Sequence, residues 1–365
     1  MNNYYSIFYF FLLSFYFVVL NLTSPYPLTS LKYTLKILEY LPVFILALLI
    51  GLFKTYYKNL LFLVIFLIAI ILNFFNLILF FNPDLYKTIF YERPYTYPRA
   101  QSLVGHPNSY AFFINLSLIV ALVLLNESLI SNNIFNFYFI LSGLNLVLTG
   151  SKNNFILFIF LALYILYGIY KKNKFSLDFK IILIFLILNI FLFWLFWLSG
   201  LEIIQKFSYN SWYKQAIENS LSQFFKEHNI ITYKITSINF REEIYSYALY
   251  VLSQFPLGVG PYVFQAEFLS RNVKFTAVWG ENTKGFNAHN LVLQVWLDFG
   301  ILWVVILWSI IILIFRLNSP LKLFFIVVLL GNIVDYFLTN PLIFYISSIL
   351  IGFSLSEVIN EKNFN

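Results

Sequence analysis

Long stretches of this chain carry no charged residue, and they restrict its fold more than any other feature. Leu60 to Phe81 and Ile181 to Leu198 are two such stretches. One helical crossing of a hydrocarbon core needs about 20 predominantly apolar residues. In lipid, each segment must bond its own backbone polar groups, which a helix does. The sequence therefore predicts an all-α fold, a polytopic transmembrane helix bundle.

The composition supports this class and excludes others. Charged residues make up 11% of the chain, whereas soluble domains carry roughly 25%. The net charge of +7 does not indicate a nucleic-acid partner, because the basic residues are scattered over loops between apolar segments. The chain has no cysteine, so a disulfide framework and a thiolate metal site are both excluded. We expect no metal site and no cofactor.

About ten segments meet the length criterion for a span. They lie near residues 4–22, 38–53, 59–81, 109–126, 133–150, 153–170, 180–199, 290–315, 322–338 and 341–357. The sequence leaves the second and tenth spans open. The predicted organisation is seven transmembrane helices in 1–199, one large extracytoplasmic helical loop at 200–289, and three helices with a short cytoplasmic tail in 290–365.

The basic loops predict the orientation of the spans. They contain Lys54 and Lys58, then Lys171, Lys172, Lys174 and Lys180, then Arg316 and Lys322. Short loops rich in Lys and Arg remain in the cytoplasm. Both chain termini are then cytoplasmic, and residues 82–108, the turn around Ser151 and residues 200–289 lie on the outer face.

The large outer loop contains a helix signal of its own. Between Arg241 and Phe255, apolar residues recur at the spacing of one helix face, and these are Ile244, Tyr247, Ala248, Val251, Leu252 and Phe255. We expect an amphipathic helix lying on the bilayer surface or on the bundle. The run of prolines and glycines from Pro256 to Pro261 predicts a turn directly after it.

Three predicted spans begin on the outer face beside a basic or imidazole side chain: Arg99, Lys152 and His289. A helix N-terminus has unpaired N–H groups and the positive end of the helix dipole, so it favours an anion. Together the three termini suit a diphosphate at the membrane surface. The alternative is that Asn108 and Ser151 are helix caps while Arg99 and Lys152 extend toward lipid headgroups.

Four of these segments, in order, resemble the O-antigen ligase and Wzy-type polymerase superfamily of membrane glycosyltransferases. The matching pieces are Arg99 to Asn108, Leu148 to Lys152, Arg241 followed by Phe255 to Gly260, and His289-Asn290 with Gly300 after nine further residues. The resemblance spans roughly residues 95 to 305. It implies a multi-pass protein of the bacterial cytoplasmic membrane whose active face is extracytoplasmic.

The resemblance also implies the chemistry. A lipid-linked glycan donor on undecaprenyl diphosphate would transfer its glycan to a sugar acceptor, with inversion and without a metal. His289 would be the general base, since a neutral imidazole near pH 7 can take the acceptor proton. Asn290 would orient the imidazole or the sugar. Arg99, Lys152 and Arg241 would bind the diphosphate and stabilise it as the leaving group. Membrane lipids are the remaining expected partners.

Several points stay open at this stage. Lys152 stands where the superfamily usually has arginine, and Trp303 stands where the ligase signature prefers a small residue or tyrosine, so ligase and polymerase both remain. Asn108, Ser151 and Asp298 are further candidates; Asp298 lies nine residues after His289, too far along one helix for direct contact at 1.5 Å rise per residue.

Two other function classes remain as alternatives. A transporter or flippase of lipid-linked oligosaccharide would usually show a sequence repeat and charges near mid-span, and a scaffold would have no catalytic residues. The sugar, its linkage, the acceptor and the oligomeric state are not predicted.

Overall fold

A computed structural model gives the fold of this chain. The residues it describes are 16, 18–53, 55–82, 85, 88, 100, 102–104, 106–173, 177–198, 244–269, 288, 290–301, 303–305, 308, 321–332 and 340–363. All regular structure in these residues is helical, which confirms the predicted all-α class.

The described helices are numbered here in chain order. They are α1 (Pro27–Leu38), α2 (Leu41–Phe53), α3 (Thr55–Phe81), α4 (Pro107–Asn126), α5 (Asn132–Thr149), α6 (Lys152–Asn173), α7 (Leu177–Leu198), α8 (residues 244–254), α9 (Leu291–Phe299), α10 (Lys322–Asn332) and α11 (Pro341–Asn363). Residues 18–23 are helical as well, Ser102–Val104 is a 3-10 turn, and Phe264–Leu269 is a π-helix.

Among the described residues, five helical segments are long and apolar enough to cross a membrane. They are Pro27–Phe53, Tyr56–Phe81, Pro107–Asn126, Lys152–Lys171 and Asp178–Leu195. These match predicted spans two, three, four, six and seven. The fifth predicted span is present as α5, whose four asparagines lower its hydropathy. Two shorter apolar helices lie at predicted spans nine and ten. The total of about ten spans stays a prediction.

The second span begins earlier than the sequence indicated. The prediction placed its start near residue 38, whereas the helical segment starts at Pro27. Proline suits the first turn of a helix because the N–H that it lacks would be unbonded there in any case. A short break between α1 and α2 divides the segment.

The described residues fall into two compact units. The first, the loop unit, holds α1, α8 and α9; the second, the bundle unit, holds α3 to α7 and α11 with most of α10. The predicted domain boundaries at 199/200 and 289/290 stay predictions.

Within the bundle unit, α4 is the central helix. In the most apolar 18-residue stretch of α4, 83% is buried, whereas 17% is buried in the corresponding stretch of α7. α4 is apolar on every side and packs against α3, α5 and α6, as expected for a helix surrounded by others. The outer helices bury amides and leave apolar side chains exposed, among them Ile184, Phe191 and Trp194 of α7. This inside-out distribution suits helices packed in lipid.

Hydrogen bonds show that successive helices of the bundle unit run in opposite directions. Asn154 near the start of α6 donates to the Asn108 carbonyl near the start of α4. Asn136 near the start of α5 donates to Asp178 near the start of α7. The first pair belongs to one end of the unit and the second to the other, which is the alternation that the predicted topology requires. Which end faces outward stays a prediction.

In the loop unit, the predicted amphipathic stripe is confirmed as a buried face. Ile244, Ala248, Val251 and Leu252 of α8 are buried. They form one apolar cluster with residues of the following turn, with Ala288 and with Leu297 of α9. The face of α8 thus packs on its own unit. The expectation that it lies on the bilayer surface or on the bundle was incomplete, because residues up to fifty positions downstream supply its partners.

The predicted eighth span, 290–315, is not one continuous helix. Its described first part, α9, is nine residues long and ends at Gly300, whose φ of 79° lies outside the helical region. At 1.5 Å rise per residue, α9 covers about 14 Å, which is less than half of a hydrocarbon core of about 30 Å.

Most of the large outer loop, at 200–243, 270–287 and 289, lies outside the described residues.

Candidate functional site

The end of the bundle unit that carries Lys152 is built from a helix stop and a helix start. α5 ends at Gly150, whose φ of 60° is left-handed and reverses the chain direction. Ser151 is buried, and its carbonyl accepts from the Phe155 N–H at 2.9 Å, so α6 begins at once. Lys152 is exposed in the first turn of α6. A cationic side chain therefore stands at the positive end of a helix dipole.

One asparagine joins the starts of α4 and α6. The Nδ2 atom of Asn154 lies 3.2 Å from the Asn108 carbonyl oxygen and 3.0 Å from the Ser151 Oγ. Asn115 of α4 donates in turn to the Asn154 carbonyl at 2.9 Å. Two of the three predicted helix termini are thus held side by side. We call the starts of α4 and α6, together with Ala100 and residues 150–154, the amide-rich end.

A buried hydrogen-bond network holds the chain segment that follows Arg99. The Ala100 N–H donates to the Leu148 carbonyl at 2.9 Å. The Ser102 N–H donates at 2.9 Å to Asn76 of α3, and Asn76 donates at 2.7 Å to Asn145 of α5. Ala100 and Ser102 are therefore fixed beside the end of α5, close to the Gly150 turn.

The cap of α4 differs from the prediction. His106 is the N-cap residue, and its Nδ1 atom accepts from the Asn108 N–H at 3.2 Å. The Nδ1 lone pair thus takes the part that a side-chain oxygen usually plays in a helix cap. Asn108 lies inside the first turn, so its interpretation as a cap was wrong. Ser151, the other residue interpreted as a cap, directly precedes α6. Its carbonyl accepts the hydrogen bond of the Phe155 N–H.

In the loop unit, the start of α9 is well defined. Asn290 is the N-cap residue, and its Oδ1 atom accepts from the Leu293 N–H at 3.1 Å. Ala288, two positions earlier, is fully buried. Its N–H donates to the Oε1 atom of Gln294 at 2.8 Å. Both described neighbours of position 289 are therefore bonded to α9.

Asp298 lies in the interior of the loop unit and does not face the start of α9 directly. Its Oδ1 atom accepts from the Nε2 atom of Gln294 at 2.9 Å and from the Tyr262 N–H at 3.1 Å. Tyr262 is a non-glycine residue with a φ of 62°. Burial raises the pKa of its phenol, and the nearby Tyr33 adds to that increase, so the phenol stays neutral.

Residues 256–262, the glycine turn, hold the far end of α9. The Val259 N–H donates to the Leu297 carbonyl at 2.7 Å, and the indole N–H of Trp296 donates to the Pro256 carbonyl at 3.0 Å. A Cβ at Gly258 would lie 2.7 Å from the Gly300 nitrogen. The two backbones approach so closely that a side chain is excluded from this contact.

The remaining predicted site residues lie outside the described residues, and these are Arg99, Arg241 and His289. Their neighbours in the chain are placed: Ala100 at the amide-rich end, Ile244 at the first turn of α8, and Ala288 with Asn290 at the start of α9. The structure thus brings Asn108, Ser151 and Lys152 to one end of the bundle unit. Asn290 and Asp298 belong to the loop unit.

Sequence reasoning missed Gln294 and Asn154. Gln294 is four residues after Asn290 and four before Asp298, a spacing that places all three on one helix face. That spacing was the available signal. The sequence signal for Asn154 was weaker: it is an amide in the first turn of an apolar helix, where a side chain can reach groups before the helix.

Comparison with known proteins now adds the family. Residues 137–308 match the Wzy_C family, described as O-antigen ligase. This segment, a little under half of the chain, is similar to the O-antigen ligase domain. The match confirms the resemblance to the O-antigen ligase and polymerase superfamily. No curated protein and no solved structure matches the chain.

The segment that matches the O-antigen ligase family starts in α5 and extends past α9. It includes Lys152, Arg241, His289 and Asn290, whereas Arg99 precedes it. Members of the family are membrane glycosyltransferase-like enzymes that serve lipopolysaccharide biosynthesis. The apolar spans agree with a multi-pass membrane protein of this kind.

Proposed function

We propose that this protein is an inverting glycosyltransferase that moves a glycan from undecaprenyl diphosphate to an acceptor sugar at the outer face of the cytoplasmic membrane. The observation that carries the proposal is the amide-rich end, where Asn154 ties the starts of α4 and α6 together beside the exposed Lys152. The O-antigen ligase domain supplies the reaction class.

The amide-rich end suits the leaving group. When the anomeric C–O bond breaks, the bonding electrons remain on the lipid diphosphate, whose negative charge increases. Unpaired N–H groups at a helix start and a fixed cation stabilise such charge where water is scarce. Lys152 is assigned this role, together with Arg99, which directly precedes the anchored Ala100. Arg241, three positions before α8, is assigned to the same diphosphate.

The acceptor needs a base. As its hydroxyl oxygen bonds to the anomeric carbon, the hydroxyl proton must leave, and the His289 imidazole is assigned to take it. A single displacement of this kind inverts the anomeric configuration. Asn290, whose Oδ1 caps α9, fixes the chain directly after His289. These steps need no metal.

Ligase and polymerase differ in the acceptor. A ligase would transfer the glycan to a lipid A–core oligosaccharide, whereas a polymerase would transfer it to a second lipid-linked repeat unit. The family match is equally compatible with both. A transporter of the same lipid is the remaining alternative, and it would turn over no glycosidic bond.

The test uses the full-length protein in detergent or nanodiscs. Undecaprenyl diphosphate carrying a short glycan is supplied with either acceptor, and product is measured by mass spectrometry. His289→Ala should lower kcat roughly 10²- to 10⁴-fold, the usual contribution of a general base. His228→Ala, the same change at a histidine that has no assigned role, should leave kcat within about twofold.

Each result has a defined meaning. Turnover with one acceptor and not the other assigns ligase or polymerase. Wild-type turnover by His289→Ala contradicts the base assignment. Movement of the lipid across vesicles with no new glycosidic bond contradicts glycosyl transfer altogether.

A further inference from the structure

A chain of buried hydrogen bonds runs through the loop unit from the glycine turn to the residue before His289. The Tyr262 N–H and the Gln294 side-chain amide both donate to the Oδ1 atom of Asp298, at 3.1 and 2.9 Å. The same Gln294 side chain accepts from the Ala288 N–H at 2.8 Å. Three separate segments of the loop unit are joined by two side chains.

The chemistry of the partners fixes the orientation of the Gln294 amide. Its oxygen faces a backbone N–H, which can only donate, and its NH₂ group faces a carboxyl oxygen, which accepts. A flipped amide would place donor against donor and acceptor against acceptor. Gln294 can therefore link Ala288 to Asp298 in one way only, and the distance between these partners is set by one side chain.

Burial makes each link costly to remove. Gln294 is 1% exposed, Asp298 is 6% exposed and Ala288 is fully buried. A buried polar group that loses its partner keeps the full penalty of its desolvation. Ala288 also belongs to the apolar cluster that includes Val263 and Leu297, so water is not an easy replacement for its partner.

One end of this chain of hydrogen bonds adjoins a proposed functional position. Ala288 immediately precedes His289, and Asn290, which immediately follows it, caps α9 at 3.1 Å. The described residues on both sides of position 289 are therefore held against the same helix. We propose that Gln294 and Asp298 are positioning residues for His289: they hold Ala288, the residue before it, against α9 so that the imidazole reaches the acceptor hydroxyl.

This inference rests on the proposed function, because it names what supports the proposed base. Neither residue touches the reacting atoms. Their effect on turnover should therefore pass through His289, and a variant should lower kcat while the donor KM stays within about twofold. Misplacing a catalytic group by about 1 Å reduces a rate roughly 10²-fold.

The first test is a double-mutant cycle on the full-length protein. Gln294→Leu keeps the side-chain size and removes both hydrogen bonds, and it should lower kcat roughly 10- to 100-fold. In the His289→Ala background the same change should have little further effect, since residues that act as one unit are not additive. Gln254→Leu, the same substitution at an exposed position of α8, is the matched control and should leave kcat unchanged.

A second pair of variants guards against simple misfolding. Asp298→Asn keeps an oxygen that accepts from Tyr262 and Gln294, so kcat should stay within about threefold, as for a nearly isosteric change. Asp298→Leu removes the acceptor and should behave like Gln294→Leu. A merely structural role would lower the amount of folded protein and leave kcat per folded molecule unchanged.

The third measurement does not depend on catalysis. The chain has three histidines, so imidazole NMR spectra of protein labelled at histidine resolve few signals, and His289→Ala identifies one of them. Gln294→Leu should broaden or double the His289 signal and leave those of His106 and His228 in place. An unchanged, sharp His289 signal in Gln294→Leu would overturn the inference.

The outcomes separate this inference from the proposed function. If His289→Ala keeps wild-type turnover, the base assignment fails, and the NMR result alone decides whether Gln294 positions this histidine. If His289→Ala loses turnover but Gln294→Leu lowers kcat equally in both backgrounds, the proposed function stands and the positioning role fails. If turnover of His289→Ala is below detection, the NMR comparison decides.

Discussion

The amide-rich end of the bundle unit and the glycine turn of the loop unit fix their parts of the chain by different means. At the amide-rich end and in the adjoining buried network, asparagine side chains such as Asn154 and Asn76 reach from one apolar helix to another. At the glycine turn, the backbone at Gly258 meets the backbone at Gly300, with no side chain between them. The asparagine hydrogen bonds set the depth and register of helices, whereas the glycine contact sets a single close approach of two backbone segments.

The difference teaches how each region should tolerate substitution. Apolar helices in lipid slide and rotate easily against each other, so a few buried amides select one arrangement. Such a network has several members, and each contributes modestly. A backbone contact has no such redundancy, because any side chain placed there must displace the chain itself. Substitutions in the amide network should therefore each cause a modest loss of stability, whereas a substitution at the glycine turn should cause a large loss.

The largest effect is expected at the glycine turn. Gly258→Val should destabilise the loop unit by about 3 kcal/mol or more, because a β-branched residue at positive φ adds backbone strain to a steric clash. Thermal unfolding in detergent measures the change. Gly168→Ala is the control, since a Cβ there meets nothing within 4 Å, and it should leave the melting temperature equal or slightly higher. Equal melting of wild type and Gly258→Val would remove the contrast between the two regions.

A smaller effect is expected inside the bundle. Asn145 accepts from Asn76 at 2.7 Å and from the Tyr110 hydroxyl at 3.2 Å, so Asn145→Leu leaves two buried donors without this acceptor. We expect a loss of about 1–2 kcal/mol, since hydrogen bonds between helices in lipid average about 0.6 kcal/mol each. Asn133→Leu, at an exposed position of the same helix, should have no measurable effect. A loss as large as that of Gly258→Val would show that the network has no redundancy.

The smallest effect is expected at Lys152, in the proposed diphosphate site of the amide-rich end. Lys152→Ala should raise the donor KM roughly tenfold, about 1.4 kcal/mol, with a normal melting temperature. Lys152→Arg should keep donor use, because a guanidinium binds phosphate in a bidentate manner. Lys171→Ala, exposed at the opposite end of α6, is the control. An unchanged KM for Lys152→Ala would take this cation out of the diphosphate site.

The sequence alone predicted those parts of the fold that depend on averaged patterns. The apolar runs gave the helices α3, α4, α6 and α7 nearly at their observed bounds, and the period of the stripe from Ile244 gave the buried face of α8. Both signals are sums over many residues, so single exceptions do not disturb them.

The parts that failed depend on single residues and on distant partners. A hydropathy window cannot see that Gly300 adopts a positive φ and ends α9. Capping by His106 was missed because an imidazole acts there through one lone pair, whereas asparagine is the commoner cap residue. One partner of Asp298 is the Tyr262 backbone 36 positions away, and no local sequence pattern indicates this contact.

The bond between Asn76 and Asn145 has a consequence for how the protein is made. These residues are 69 positions apart, so at about 5–20 residues per second the ribosome adds Asn145 roughly 3–14 seconds after Asn76. Throughout that interval the Nδ2 group of Asn76 has no Asn145 to which it can donate. Release of α3 alone into lipid would leave that group without this acceptor, so the insertion machinery has reason to retain α3 and α4 until α5 arrives and to deliver the three helices as a group.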